Sequence, residues 1–172
     1  THTQSSAASD VYKRQLQLRA NNTLKIIQQE LDDKKNFTKA WQLNERHYGA
    51  LTGLNKIEMS KKIGEDKIYE FRRSWDLRPD PLKKESPFHP LNIDTYKQIP
   101  RELLPDTESL KDTYNRVVPF FEKNIVKHIK NEKNIIMSAH GNTIRALGKK
   151  IFNISDKSIN LFEIPTGNPL II

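Results

Sequence analysis

At 172 residues the chain is long enough to bury the hydrophobic core of one domain. It has no cysteine, which excludes a disulfide framework and thiolate metal sites. No apolar run is long enough to span a bilayer, and the opening THTQSSAASD lacks the apolar centre of a secretory signal, so the sequence reads as a soluble cytoplasmic protein. An excess of 29 Lys+Arg over 21 Asp+Glu gives a net charge of +8. That suits an anionic partner (nucleic acid, an acidic surface or a small phosphorylated substrate) and equally an ordinary surface of solvated lysines.

In chain order, Ala20, Leu24, Ile27 and Leu31 recur at the spacing of one helix face. After the polar break DDKKN, FTKAWQL reads as a short strand running into NERHYG. Residues Ile57 to Ile63 read as a helix with Gly64 as its stop, and Ile68, Phe71 and Trp75 mark another helical face carrying Arg72 and Arg73 on or beside it. The proline-rich LRPDPLKKESPFHPLNIDTYKQIP predicts a long ordered loop or lid. TES opens a helix whose stripe is Leu110, Tyr114, Val117, Val118, Phe121 and Ile125, with a kink expected at Pro119. NIIMSA reads as a buried parallel strand and HGNT as a turn. A helix with Ile144, Leu147 and Ile151 on its inner face follows, then NLFEI and PLII as the last strand candidates.

Strands alternating with helices argue for an α/β sheet with crossover helices. No strand is expected ahead of the first helix. The segment SSAASDVYKRQ resembles a peptide translated from sequencing-adapter DNA. Residues 1–15 are therefore expected to be a non-native leader, and 16–172 a domain lacking its first strand.

Three groups could carry chemistry. His140 sits where a strand ends and a helix begins, with Gly141 allowing a tight backbone. Ligands of open α/β sheets bind at that end of the strands, and a helix N-terminus there favours an anion. A histidine at that point fits either a phosphoryl site or a structural turn. Glu45, beside Arg46, fits a surface ion pair or, if partly buried, a general acid/base with Arg46 and Tyr48 holding an anionic substrate. Arg72–Arg73 fits bidentate binding of carboxylate or phosphate, or a solvated basic edge. Arg19 and Lys56 have no separate local signal. There is no Walker-type loop and no G-x-S-x-G elbow, and the histidines at 2, 47, 89, 128 and 140 lack metal-ligand spacing. The aromatics follow core periodicity instead of forming a base-stacking platform, so only the net charge supports nucleic-acid binding.

Taken together, LNERHYGALTGLNK, FRRSW, LPDTESL…RVVPFFE, IIMSAHGNTIRAL and IPTGNPLI resemble, in order, the cofactor-dependent phosphoglycerate mutases of the histidine phosphatase superfamily. The resemblance runs from about Arg19 to Ile172, and LQLRANNTL is similar to that family's segment ending in Leu-x-Arg-Ala. It implies a three-layer α/β/α sandwich around a mostly parallel sheet, assembled as homodimers or homotetramers. It also implies glycolytic and gluconeogenic interconversion of 3-phosphoglycerate and 2-phosphoglycerate, primed by 2,3-bisphosphoglycerate, through a histidine that carries the phosphoryl group. The implied partners are small phosphorylated three-carbon acids, with no metal, nucleic acid or membrane. By matched motif, Glu45 resembles the general acid/base and His140 the second active-site histidine. Arg19, Arg46, Tyr48, Lys56, Arg72, Arg73, Gly141 and Asn142 resemble the ligand-binding set. The related alternative is a bisphosphoglycerate or other histidine-family phosphatase. The family's nucleophilic histidine lies in an Arg-His-Gly triplet, which does not occur in this sequence. The expectation is therefore a chain inactive by itself and lacking the first strand, its turn and the family's C-terminal tail.

Overall fold

The computed structural model describes residues 11–14 and 16–172, leaving aside the side chains of Tyr12, Arg14, Lys56 and Lys62. Three strands form one parallel sheet among the described residues: β1 (Val11–Arg14), β2 (Phe37–Lys39) and β3 (Ile135–Ser138), in the order β2-β1-β3. Val11 pairs with Ile135 and Tyr12 with both Phe37 and Ile136. The sequence reading put no strand ahead of the first helix, so β1 is a difference. A ladder needs only backbone N–H and C=O groups, and the Val-Tyr pair that opens β1 favours the extended backbone. Lys13 takes up its buried middle position, and burial, reinforced by Lys127, holds its ammonium below the ordinary lysine range. Of the expected leader, residues 1–10 and Gln15 lie outside the described residues.

The helices are α1 (Leu18–Glu30), α2 (Lys56–Ile63), α3 (Glu65–Arg73), α4 (Leu110–Asn124), α5 (Val126–Lys130) and α6 (Gly141–Ile151). Ala20 and Leu24 are the buried residues of α1. Successive side chains of β3 face opposite sides of the sheet. Ser138 Oγ donates to Ala20 O of α1 at 3.0 Å. Its neighbour Met137 packs into the cluster of Ala40, Leu43, Val117 and Leu147, of which Val117 belongs to α4 and Leu147 to α6. Thus α1 lies on one face and the α4–α6 pair on the other, which is the three-layer arrangement. A second cluster joins Leu110, Ala146 and Ile159 with Trp75, Tyr114 and Phe162.

Helix α4 starts as TES suggests. Ser109 Oγ accepts from Asp112 N, while Asp112 Oδ2 accepts from Ser109 N at 2.7 Å, a capping box. The helix runs through Pro119 to Asn124 before Ile125 separates it from α5. The long loop is ordered by short 3-10 turns at Pro90–Asn92, Asp94–Tyr96 and Arg101–Leu103. The last strand candidates are corrected. Residues Ile159–Leu161 form a 3-10 turn, and PLII has no strand partner among the described residues. Ile159 and Phe162 reach the core three residues apart, a turn's spacing and not the alternation a strand requires.

Candidate active site

The turn after β3 delivers His140 as the N-cap residue of α6, and Asn142 and Thr143 follow in the first turn of that helix, both buried. Facing them is the segment Asn44–Tyr48, which is irregular and held from outside. Thr143 Oγ1 donates to Leu43 O and Asn44 O at 3.2 and 3.0 Å. Arg116 of α4 donates to Gln42 O at 2.6 Å and Glu45 O at 3.3 Å. It also forks onto Glu108 at 2.7 and 3.0 Å, while Glu108 Oε2 accepts from His47 N at 2.9 Å. Gly49 closes the segment at φ +55°, where an added Cβ would strike the Asp80 carbonyl and Thr107.

The result brings Glu45, Arg46, Tyr48, His140 and Asn142 together. Asn142 Nδ2 donates to Glu45 Oε1 at 2.6 Å and to Tyr48 Oη at 2.8 Å. The other Glu45 oxygen stands 3.7 Å from His140 Nδ1. Gln17 Oε1 accepts from Glu45 N at 3.0 Å and lies 3.1 Å from His140 Nδ1. An amide oxygen only accepts, so this contact assigns the proton of neutral His140 to Nδ1 and makes Nε2 its basic nitrogen. Burial lowers the His140 pKa; Glu45 opposes that shift and Arg19 reinforces it.

Arg46 is 2% exposed. Its guanidinium lies 4.5 Å from the centre of the Tyr48 ring and Nη2 donates to Phe71 O of α3, while Nε and Nη1 meet no protein acceptor. A buried cation with two unmatched donors suits an anionic ligand group, since such donors are costly to leave unpaired. Arg73 of α3 is half-buried and pairs with Glu163 at 3.0 Å, whereas Arg72 is exposed on the same helix. Arg19 is exposed on α1, within electrostatic reach of His140. Gly141 opens α6 with empty space where a Cβ would stand. Lys56 is the first residue of α2, and its side chain lies outside the described set. Among the described residues, no group of three or more His, Cys, Asp or Glu is placed to hold a metal ion, and no helix is long and apolar enough to cross a membrane.

Sequence reasoning missed Gln17, Glu108, Arg116 and Arg145. Only Arg145 left a local trace, standing three residues after Asn142 and hence on the same helix face.

Residues 82–171 match the family described as Histidine phosphatase superfamily (branch 1). The chain is 63% identical over 163 residues to a 2,3-bisphosphoglycerate-dependent phosphoglycerate mutase of Pelagibacter ubique (strain HTCC1062), covering 95% of this chain and 68% of that protein. It is 47% identical over 154 residues to the protein of the same name from Borreliella burgdorferi (strain ZS7), covering 89% of this chain and 62% of that protein. Among solved structures it resembles the native mycobacterial glucosyl-3-phosphoglycerate phosphatase, with a TM-score of 0.62 at 14% identity over 90% of this chain and 64% of that one. The same phosphatase bound to inorganic phosphate gives 0.62 at 13% identity over 91% and 65%. At that identity the structural likeness speaks for the fold alone. The matched family segment, the close relatives and the shared fold agree: this chain belongs to the histidine phosphatase superfamily.

Proposed function

We propose that the protein to which this chain belongs interconverts 3-phosphoglycerate and 2-phosphoglycerate by phosphoryl transfer through a histidine, as an isomerase. The observation that carries this reading is the Glu45 carboxylate, held by Asn142 at 2.6 Å beside His140 and next to the buried, partly unmatched guanidinium of Arg46. Such a substrate presents a phosphate and a carboxylate, so several cations must converge while one carboxylate stays available to move a proton. Glu45 protonates the leaving oxygen and deprotonates the incoming hydroxyl. His140 offers its ring to the transferring phosphoryl group. Arg46 and Tyr48 hold the anion, with Arg19, Lys56, Arg72, Arg73, Gly141 and Asn142 completing the ligand set. When bound, 2,3-bisphosphoglycerate supplies the priming phosphoryl group, and no metal is required. The close relatives' names support this assignment, as does the net charge of +8, which serves an anionic small molecule without invoking nucleic acid. The full-length protein works in the cytoplasm as a homodimer or homotetramer, which light scattering on that protein tests. The family's Arg-His-Gly triplet, which carries the nucleophilic histidine, does not occur among these 172 residues, and the chain alone does not turn over.

A coupled assay with 2,3-bisphosphoglycerate on the full-length protein tests the reading. Isomerisation is expected, with Glu45→Gln lowering kcat by roughly 10²–10⁴-fold. Release of inorganic phosphate without isomerisation would replace the mutase by a phosphatase. Unchanged turnover in Glu45→Gln would remove Glu45 from its role, and clear turnover by the 172-residue chain would refute its inactivity.

A further inference from the structure

We propose that Arg145 is a positioning residue of this site, setting the stance of Glu45 and Tyr48 through Asn142. The proposal rests on the reading of Glu45 as the proton-transferring group. An arginine side chain carries only donors. The Asn142 atom that faces Arg145 Nη1 at 2.9 Å is therefore the amide oxygen. With the oxygen committed, the NH₂ group points the other way, and its hydrogens go to Glu45 Oε1 and Tyr48 Oη. Turning the amide over would set its oxygen against the Glu45 carboxylate and its NH₂ against the guanidinium, acceptor on acceptor and donor on donor.

Arg145 can impose this because it is itself fixed. It is 6% exposed, lies on the same face of α6 as Asn142, and its Nε donates to Phe162 O at 3.0 Å. The chain of donation runs one way, from guanidinium to amide to carboxylate and phenol. Tyr48 Oη receives a hydrogen from Asn142, so its own hydrogen is left for an acceptor beyond this triad.

Side-chain amide NMR of the full-length protein decides the point without needing turnover. In the wild type the Asn142 NH₂ should relax with helix α6; a freely flipping amide overturns the proposal. Arg145→Met, folded by its backbone resonances, should loosen that amide, whereas an arginine that merely anchors Phe162 would leave it pinned by Glu45 and Tyr48. Glu45→Ala tests the same claim from the other side and does not disturb Arg145. The amide should stay pinned there, and its release would show that Glu45, not Arg145, orients it. In the full-length protein Arg145→Met should lower kcat about tenfold to a hundredfold with KM within about threefold. An unchanged kcat beside a loosened amide also overturns the proposal. A full-length protein that isomerises no phosphoglycerate removes the role of Glu45 while leaving the amide result to decide what Arg145 does.

Discussion

Arg46 shows why residue identity and residue state are separate questions. The sequence placed it beside Glu45 as a candidate anion ligand, but only the structure shows it buried with Nε and Nη1 lacking protein acceptors. Replacing such a charge by an apolar side chain of similar length costs little or even stabilises, because an unpaired buried cation is itself expensive. Arg46→Met should therefore melt within about 1 kcal/mol of the wild type, or above it. Inorganic phosphate should raise the melting temperature of the wild type but not of Arg46→Met; an equal shift in both would place the anion elsewhere. The histidines give a pH dependence with a definite sign. Burial lowers the pKa of both His47 and His140, against the raising influence of Glu108 on the first and Glu45 on the second. Each folded ring thus binds fewer protons than its unfolded counterpart, which titrates near pH ~6.5. Stability from this source is intact above that pH and falls as the pH drops through the lower folded-state values. Denaturant midpoints between pH 7.5 and 5 should decline accordingly, and a flat profile would contradict the burial argument. Glu45, His140 and Asn142 were legible because their motifs are local. The amide that joins them was not, since Glu45 and Asn142 are 97 positions apart.

At the scale of elements, the segment carrying Glu45 has no regular structure and depends on α4 to hold it. Glu108 and Arg116 form that support, and both are well shielded, with side-chain exposures of 5% and 13%. Removing one partner strands the other charge in the interior, so Arg116→Met should cost about 3–5 kcal/mol by chemical denaturation. Breaking the exposed Lys67–Glu70 pair, though its atoms are 2.9 Å apart, should cost less than about 1 kcal/mol. Equal costs for the two would contradict the assignment of Arg116 as the support of this segment. The start of α4 could be read from TES because Ser109 is an N-cap residue, and the capping box it forms with Asp112 spans only four positions. The end of the chain could not. NLFEI has the composition of a strand, yet Phe162 is drawn onto Gly148, where an added Cβ would collide with the ring. That packing turns Ile159–Leu161 away from the sheet. Propensity proposed a strand there, and a tertiary contact with α6 overrode it.

For the whole molecule, an α/β sheet with crossover helices was readable from the alternation of elements, but β1 was not, because VYKR lies in the segment read as a non-native leader and lacks the continuous apolar run that marked β3. The apolar surface is uneven. Leu161, Leu18, Ile171 and Ile172 are 74%, 72%, 87% and 76% exposed. Scattered apolar side chains are ordinary, whereas several large ones left open favour self-association. The isolated 172-residue chain should therefore show poor solubility and concentration-dependent light scattering; a monodisperse sample with a cooperative melt would contradict this. The 97-residue separation of Asn142 and Glu45 also has a consequence in time. At a synthesis rate of about 5–20 residues/s, the Glu45 segment emerges from the ribosome roughly 5–20 s before the helix that completes its hydrogen bonds. For that interval Glu45 and Arg46 are still in water, and the nascent protein has not yet assembled the candidate site.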